Sequence, residues 1–153
     1  MRGITITDSA PDSGLLAVDL IDVLRVLGSA AVDAEWEISG VESVGGAAAE
    51  KLHRLSDART RVPGHTLLSL ATAVAQVIDG VFAGYRDDET RPWIIIRAVD
   101  SAAFDVQSDD ESVLARVKQR FQKVAEFDSA EPVSPAQQGS ARGPLPRAKL
   151  AER

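Results

Sequence analysis

The stretch from Pro92 to Ser108 reads Pro-Trp-Ile-Ile-Ile-Arg-Ala-Val-Asp-Ser-Ala-Ala-Phe-Asp-Val-Gln-Ser and contains the clearest strand pattern in the chain. Residues 93–99 are almost continuously apolar, which is typical of a strand covered in part on both faces, so we place it at the centre of a sheet. Asp100-Ser101 is a turn signal, and Ala103 to Gln107 alternates polar and apolar residues. The stretch therefore predicts two neighbouring strands that run antiparallel.

Three segments before this stretch also carry strand patterns. Gln76 to Tyr85 is rich in strand-forming residues and is predicted to be one strand with a bulge at Gly80. Ala34 to Val44 alternates polar and apolar residues, and Gly3 to Thr7 is a candidate for an additional edge strand. The connections after residue 76 are too short for parallel crossovers. We expect an α+β fold: a small antiparallel sheet of three to four strands with helices packed mainly on one face.

Helical patterns surround these strands. They cover residues 15–27, 47–55 and 66–75, and a last helix begins at a capping box of Ser108 and Glu111, with an apolar stripe that continues to Val124. Beyond residue 127 the chain is rich in proline, alanine and arginine and has no apolar periodicity. We therefore predict a single domain over residues 1–127 and a disordered C-terminal tail over residues 128–153.

The composition excludes several classes of site. The chain has no cysteine, which excludes disulfides, thiolate metal sites and a cysteine nucleophile. Its net charge of −6 argues against nucleic acid as a partner. No apolar run is long enough for a membrane span or a signal peptide, so we expect a cytoplasmic protein without a membrane partner. Arginine outnumbers lysine and alanine is abundant, which favours a bacterial source.

Histidines and strand-end carboxylates are the candidates for catalysis. His53 lies four residues before Asp57 on a predicted helix, and this spacing can orient an imidazole as a base. Asp79 and Asp100 could join it in the pocket of a small hydrolase or isomerase; alternatively, they are simply turn residues. His53 and His65 match no metal-ligand spacing, and the chain lacks phosphate-loop and dinucleotide motifs, so we predict neither a metal nor a cofactor.

Aromatic and acidic residues are the candidates for binding a partner, because exposed tryptophan and tyrosine often anchor protein interfaces. Core packing is the alternative role for the aromatic residues. The leading hypothesis is a non-enzymatic protein-binding or regulatory module, of the inhibitor or immunity type, that presents an acidic surface to a protein. A further alternative is a homodimeric structural protein that associates through helix 15–27 or the second face of the central strand. The candidate binding residues are Trp36, Tyr85, Asp87, Asp88, Glu89 and Trp93.

Overall fold

The computed structural model describes residues 1–129, which form one antiparallel sheet and five helices. The strands are β1 (Arg2–Ile6), β2 (Glu35–Val44), β3 (Arg61–Pro63), β4 (Gln76–Tyr85), β5 (Ile94–Val99), β6 (Ala103–Ser108) and β7 (Val124–Asp128). The helices are α1 (Leu20–Leu27), α2 (Ser29–Asp33), α3 (Gly46–Ala58), α4 (Gly64–Ala73) and α5 (Glu111–Arg120).

The sheet has seven strands in the order β3-β2-β4-β5-β6-β1-β7, so the prediction of a small sheet of three to four strands is wrong, although the fold is α+β. Two strands have no recognisable pattern of their own. β3 has only three residues and contains Pro63, which is typical of a linker or a sheet edge. β7 carries two acidic residues and is mostly exposed. Each is a strand because it pairs with a neighbour, β3 with β2 and β7 with β1. They lie at the two edges of the sheet.

The central strand is β5, as the sequence predicts. It lies fourth in the row of seven and pairs antiparallel with β4 on one side and β6 on the other. Ile94 and Ile96 point to one face and Ile95 to the other, and all three are completely buried. The near-continuous apolar pattern of this strand therefore reflects burial on both faces of the sheet.

The helices pack on one face of the sheet. A single core cluster joins Ile94 and Ile96 of β5 to buried residues of all five helices. The apolar stripe of α1 packs against α4 and α5 of the same chain, and its residues Leu20 and Leu24 are completely buried. This stripe is therefore part of the chain's own core.

α1 begins five residues later than predicted because Asp19 caps it. Asp19 Oδ1 accepts hydrogen bonds from the backbone N–H of Leu20 at 2.8 Å and of Val77 on β4 at 3.1 Å. Asp22 completes a capping box by accepting from the backbone N–H of Asp19. Burial raises the pKa of the Asp19 carboxyl, and the two backbone hydrogen bonds oppose that rise. Asp19 therefore connects the start of α1 to the start of β4.

The final part of the predicted last helix is a strand. α5 ends at Arg120, because Phe121 has an extended backbone with φ −109° and ψ 150°. Residues 124–128 pair with β1, so β1 lies inside the sheet between β6 and β7 and is not the edge strand we expected. Val124 still packs against the core, which explains why the apolar spacing imitates a longer helix.

The last strand extends just past residue 127, where the sequence places the domain boundary. Asp128 is the last residue of β7, and the backbone N–H of Ser129 donates to the carbonyl of Met1 at 3.0 Å. The prediction of disorder for residues 130–153 lies outside the described residues. Across residues 1–129, no helix has the length and apolar character needed to cross a membrane.

Candidate functional site

The connection between β4 and β5 forms a tight, exposed loop at one end of the sheet. Its acidic residues Asp87, Asp88 and Glu89 are exposed, and Asp88 has a left-handed backbone with φ 59°. The backbone N–H of Glu89 donates to the carbonyl of Arg86 at 3.1 Å, which closes a turn. The loop therefore holds three carboxylates in a defined arrangement at the surface.

The base of this loop is fixed by Arg86 and Trp93. The guanidinium carbon of Arg86 lies 4.5 Å from the ring centroid of Trp93, within the range of a cation–π interaction. Arg86 Nη2 also lies 3.3 Å from Asp110 Oδ2, at the start of α5. The Ser108 hydroxyl donates to the carbonyl of Trp93 at 2.7 Å and accepts from the backbone N–H of Asp110 at 3.1 Å. These contacts join the loop to α5.

Ser108 therefore does not form the capping box predicted for α5. The N-cap residue is Asp110, whose Oδ1 accepts from the backbone N–H of Ser112 at 3.0 Å and from its hydroxyl at 2.6 Å. The bond from the Ser112 hydroxyl is the largest influence that lowers the pKa of the Asp110 carboxyl below its ordinary value of 3.8. Hydrogen bonds from two backbone N–H groups and from Arg86 also lower this pKa.

This lowered pKa leads to a pH prediction. A carboxyl whose pKa is lower in the folded state stabilises the fold at neutral pH, and that contribution is lost as the pH falls through the folded-state pKa. We expect the difference in free energy of unfolding between the wild type and Asp110→Asn to narrow between pH 7 and about pH 3. Urea unfolding of the wild type and Asp110→Asn at both pH values measures this difference. Asp57→Asn, which changes an exposed carboxylate on α3, is the control variant. A difference that stays constant across this range contradicts the assignment.

A polar cleft lies between the loop and the start of α5. Its volume is about 720 Å³, and Trp93 lines its apolar part. The indole Nε1 of Trp93 is buried and has no hydrogen-bond partner among residues 1–129, although such an unpaired donor costs about 1–3 kcal/mol. The cleft is lined by Arg86, Asp88, Glu89, Thr90, Arg91, Pro92, Trp93, Asp109 and Asp110.

A second, smaller depression of about 350 Å³ lies on the other side of Arg86, and Asp33 of α2 and Asp87 line it. We define the acidic loop surface as Asp33, Asp87, Asp88, Glu89 and Asp109, all of which are exposed. Asp109 lies 3.7 Å from the N-terminal amine, and the other four form no ion pair within the described part of the chain. The surface therefore carries an excess of negative charge, with Arg91 as a neighbouring exposed cation.

The remaining aromatic candidates lie away from this surface. Trp36 is completely buried, and its Nε1 donates to the carbonyl of Ala31 at 2.9 Å, so Trp36 packs the core and is not part of a contact surface. Tyr85 is only 4% exposed. Its ring lies 3.7 Å from the guanidinium carbon of Arg61, and its hydroxyl donates to Glu37 at 3.2 Å. Burial, followed by the Glu37 charge, raises the pKa of the Tyr85 hydroxyl.

The candidate catalytic residues occupy structural positions. Asp79 Oδ1 on β4 accepts from the backbone N–H of Asp100 at 2.8 Å and so joins β4 to the turn between β5 and β6, where Asp100 has a φ of 47°. His53 Nε2 accepts from the backbone N–H of Ser43 at 3.0 Å and lies 3.2 Å from the Ser43 hydroxyl. The lone pair that a general base needs is therefore already used by a backbone donor.

These residues do not converge on one site. Within residues 1–129, no hydrogen bond joins His53 to Asp57, Asp79 or Asp100, and His65 is exposed at the start of α4. No group of three or more histidine or acidic residues in the described chain could hold a metal ion. The structure brings Asp79 and Asp100 together, but as a turn contact.

Sequence reasoning overlooked Arg86, Asp109 and Asp110 as members of the site. A signal was present, because an antiparallel pair that turns at Asp100-Ser101 places residue 93 beside residue 108, next to Asp109 and Asp110; the observed register, which pairs Ile94 with Ser108, differs by one residue.

No protein-family model, curated protein or solved structure matches this chain.

Proposed function

We propose that this protein is a non-enzymatic binding module of the inhibitor or immunity type, and that its acidic loop surface contacts a basic region of a protein partner in the cytoplasm. One observation carries the proposal: Asp33, Asp87, Asp88 and Glu89 are exposed around one loop and form no ion pair within residues 1–129. Like charges repel one another in the free protein, and a basic partner relieves that repulsion.

The loop base supports the proposal because it is preorganised. Arg86 is held by the ring of Trp93 and by Asp110, and the backbone N–H of Trp93 donates to the carbonyl of Gly84 at 2.9 Å. A surface that is already ordered loses less conformational entropy when it binds. The carboxylates of the loop are therefore presented at a low entropic cost.

The acidic rim of the cleft also suits a basic partner. Its rim carries Asp88 and Glu89 on the loop and Asp109 before α5, so a lysine or arginine side chain inserted there meets carboxylates on both sides. The apolar stem of such a side chain can pack beside Trp93.

The hydrolase or isomerase alternative has less geometric support. It requires a free base near a pair of carboxylates, whereas His53 Nε2 and Asp79 Oδ1 each accept a backbone hydrogen bond.

Charge reversal of the loop tests the proposal. We expect Asp87→Lys/Asp88→Lys/Glu89→Lys to slow association with a captured partner by about tenfold or more at low salt, because opposite charges steer the encounter. The partner is the stoichiometric protein recovered by the wild-type chain from the lysate of its native cell. Surface plasmon resonance with that purified partner at low and high salt measures the association rate.

The matched control makes the same charge change elsewhere. Glu42→Lys/Glu50→Lys/Asp57→Lys replaces three exposed carboxylates on β2 and α3 and is expected to bind almost as fast as the wild type. The proposal is wrong if no stoichiometric protein is recovered, or if both triple variants slow association equally.

A further inference from the structure

β7 is an edge strand, and its inner side is fully paired. It pairs with β1 over five consecutive residues without an irregularity. Met1 and Ser129 exchange two backbone hydrogen bonds of 3.0 Å, and the backbone N–H of Thr7 donates to the carbonyl of Lys123 at 2.9 Å. Along an antiparallel strand, successive residues direct their backbone groups alternately to the two neighbouring sides. The odd-numbered residues of β7 therefore bond to β1.

The even-numbered residues of β7 direct their backbone groups away from the sheet. They are Val124, Glu126 and Asp128, and none of their N–H or C=O groups forms a backbone hydrogen bond with another residue in the range 1–129. A row of unpaired backbone groups at the edge of a sheet is a template for a further strand. The outer side of β7 therefore has the hydrogen-bonding pattern that an extended segment fits.

The opposite edge of the sheet is protected against such pairing, whereas β7 is not. β3 has three residues and ends in Pro63, whose nitrogen has no hydrogen to donate. β7 has five residues and contains neither a proline nor a bulge. Charged side chains also discourage pairing at an edge. Both carboxylates of β7 are already paired within the chain, Glu126 with Lys118. Asp128 lies 3.8 Å from Arg2.

We propose that β7 pairs antiparallel with β7 of a second copy of this chain, about a two-fold axis at Ala125. Charge selects the axis, because like charges directly opposite each other destabilise a strand pair. An axis at Glu126 sets this carboxylate against its own copy. An axis at Phe127 sets Glu126 against Asp128 of the second copy. An axis at Ala125 instead pairs Val124 with Glu126 and leaves no like charges opposite each other.

The side chains of β7 also suit this axis. Ala125 is exposed and meets its own copy in a closely spaced pair of the non-hydrogen-bonded type, where a small side chain fits. Lys123 lies opposite the half-buried Phe127 of the second copy, so its stem and ammonium can pack against that ring. The basic start of each β7 thus approaches the acidic end of the other, near Asp128. β7 is complementary to itself, which favours a second copy as the occupant.

Glu126→Pro tests the pairing. The N–H of residue 126 points outward, so proline removes a donor of the proposed interface and none of the hydrogen bonds to β1. We expect the full-length wild type to have the mass of two chains, and Glu126→Pro to weaken association by about tenfold or more, since two donors are lost from each dimer. Light scattering over a concentration series measures this. Glu126→Ala keeps the N–H and is the control, which should associate like the wild type.

The absence of cysteine permits a separate test of the register. In Ala125→Cys the two thiols lie directly opposite each other, with Cβ atoms about 4.5–5.5 Å apart, which allows a disulfide between the copies. In Glu126→Cys the thiols are diagonal neighbours at roughly 7–8 Å. With oxidised glutathione, we expect Ala125→Cys to form the linked dimer about tenfold faster or more, as measured on a non-reducing gel.

The results separate this dimer from other occupants of the edge. A mass of one chain for the wild type overturns the proposal, as does a dimer that Glu126→Pro leaves intact or that links faster at residue 126 than at residue 125. If circular dichroism shows that Glu126→Pro does not fold, the comparison of the two cysteine variants decides alone. The charge-reversed variant of the acidic loop should remain a dimer, so failure of the proposed function and failure of this pairing are distinguishable.

Discussion

Replacing Trp36 with alanine is expected to lower the free energy of unfolding by about 3–5 kcal/mol, a large part of the total of about 5–15 kcal/mol that is typical of a domain. Two losses add up. The indole is completely buried, so its removal leaves a cavity in the core. The carbonyl of Ala31 also loses the N–H donor that lies 2.9 Å away.

Trp36→Phe separates these losses. Phenylalanine fills most of the space but offers no donor, so we expect a smaller loss of about 1–3 kcal/mol, mainly from the unpaired carbonyl of Ala31. Urea unfolding followed by circular dichroism measures both variants, since the change removes a tryptophan fluorophore. If Trp36→Ala weakened partner binding while leaving unfolding unchanged, Trp36 would be a contact residue after all and its placement in the core would be wrong.

Replacing Gly64 with alanine is expected to destabilise the fold by about 1–3 kcal/mol or more. Gly64 begins α4 where that helix approaches the end of α2. A Cβ atom built there lies well inside 3.0 Å of the carbonyl oxygens of Ala31 and Val32. These are backbone atoms, which cannot rotate away as a side chain can. The two helices must therefore separate, and the core contacts of Leu67 on α4 weaken with them.

His65→Ala is the matched control for this change. It alters the next residue of the same helix turn, but the histidine side chain is exposed, so we expect a change within about 0.5 kcal/mol. Thermal unfolding of the two variants side by side measures the difference. Equal melting temperatures for Gly64→Ala and the wild type would show that α2 and α4 do not approach as closely as described.

Both effects depend on the same carbonyl of Ala31, which accepts from Trp36 and lies against Gly64. Ala31 carries no sequence signal that marks it as important. Such a contact forms only after α2, β2 and α4 have assembled. The largest predicted effects therefore lie in the core, and one of them belongs to Trp36, which the sequence indicated as a binding residue.

For the candidate site, the sequence identified the acidic loop and Trp93 because both follow from local patterns. An acidic, glycine-free stretch between two apolar strands predicts an exposed connection, and proline before tryptophan marks the start of a strand. Arg86 and Asp110 lie 24 positions apart, and their ion pair depends on the register of three strands. No local pattern describes that pair.

The sequence by itself determined the α+β class, the central position of β5 and the antiparallel pairing of β5 with β6. These features depend on alternation and turn residues within a few positions of one another, and local periodicity records which side of an element is buried. Only the tertiary structure decided the edge strands β3 and β7, the start of α1 at Asp19 and the separation of Trp36 from the acidic loop surface. The free energy of those features comes from contacts between distant residues, such as Asp19 with Val77, which are 58 positions apart.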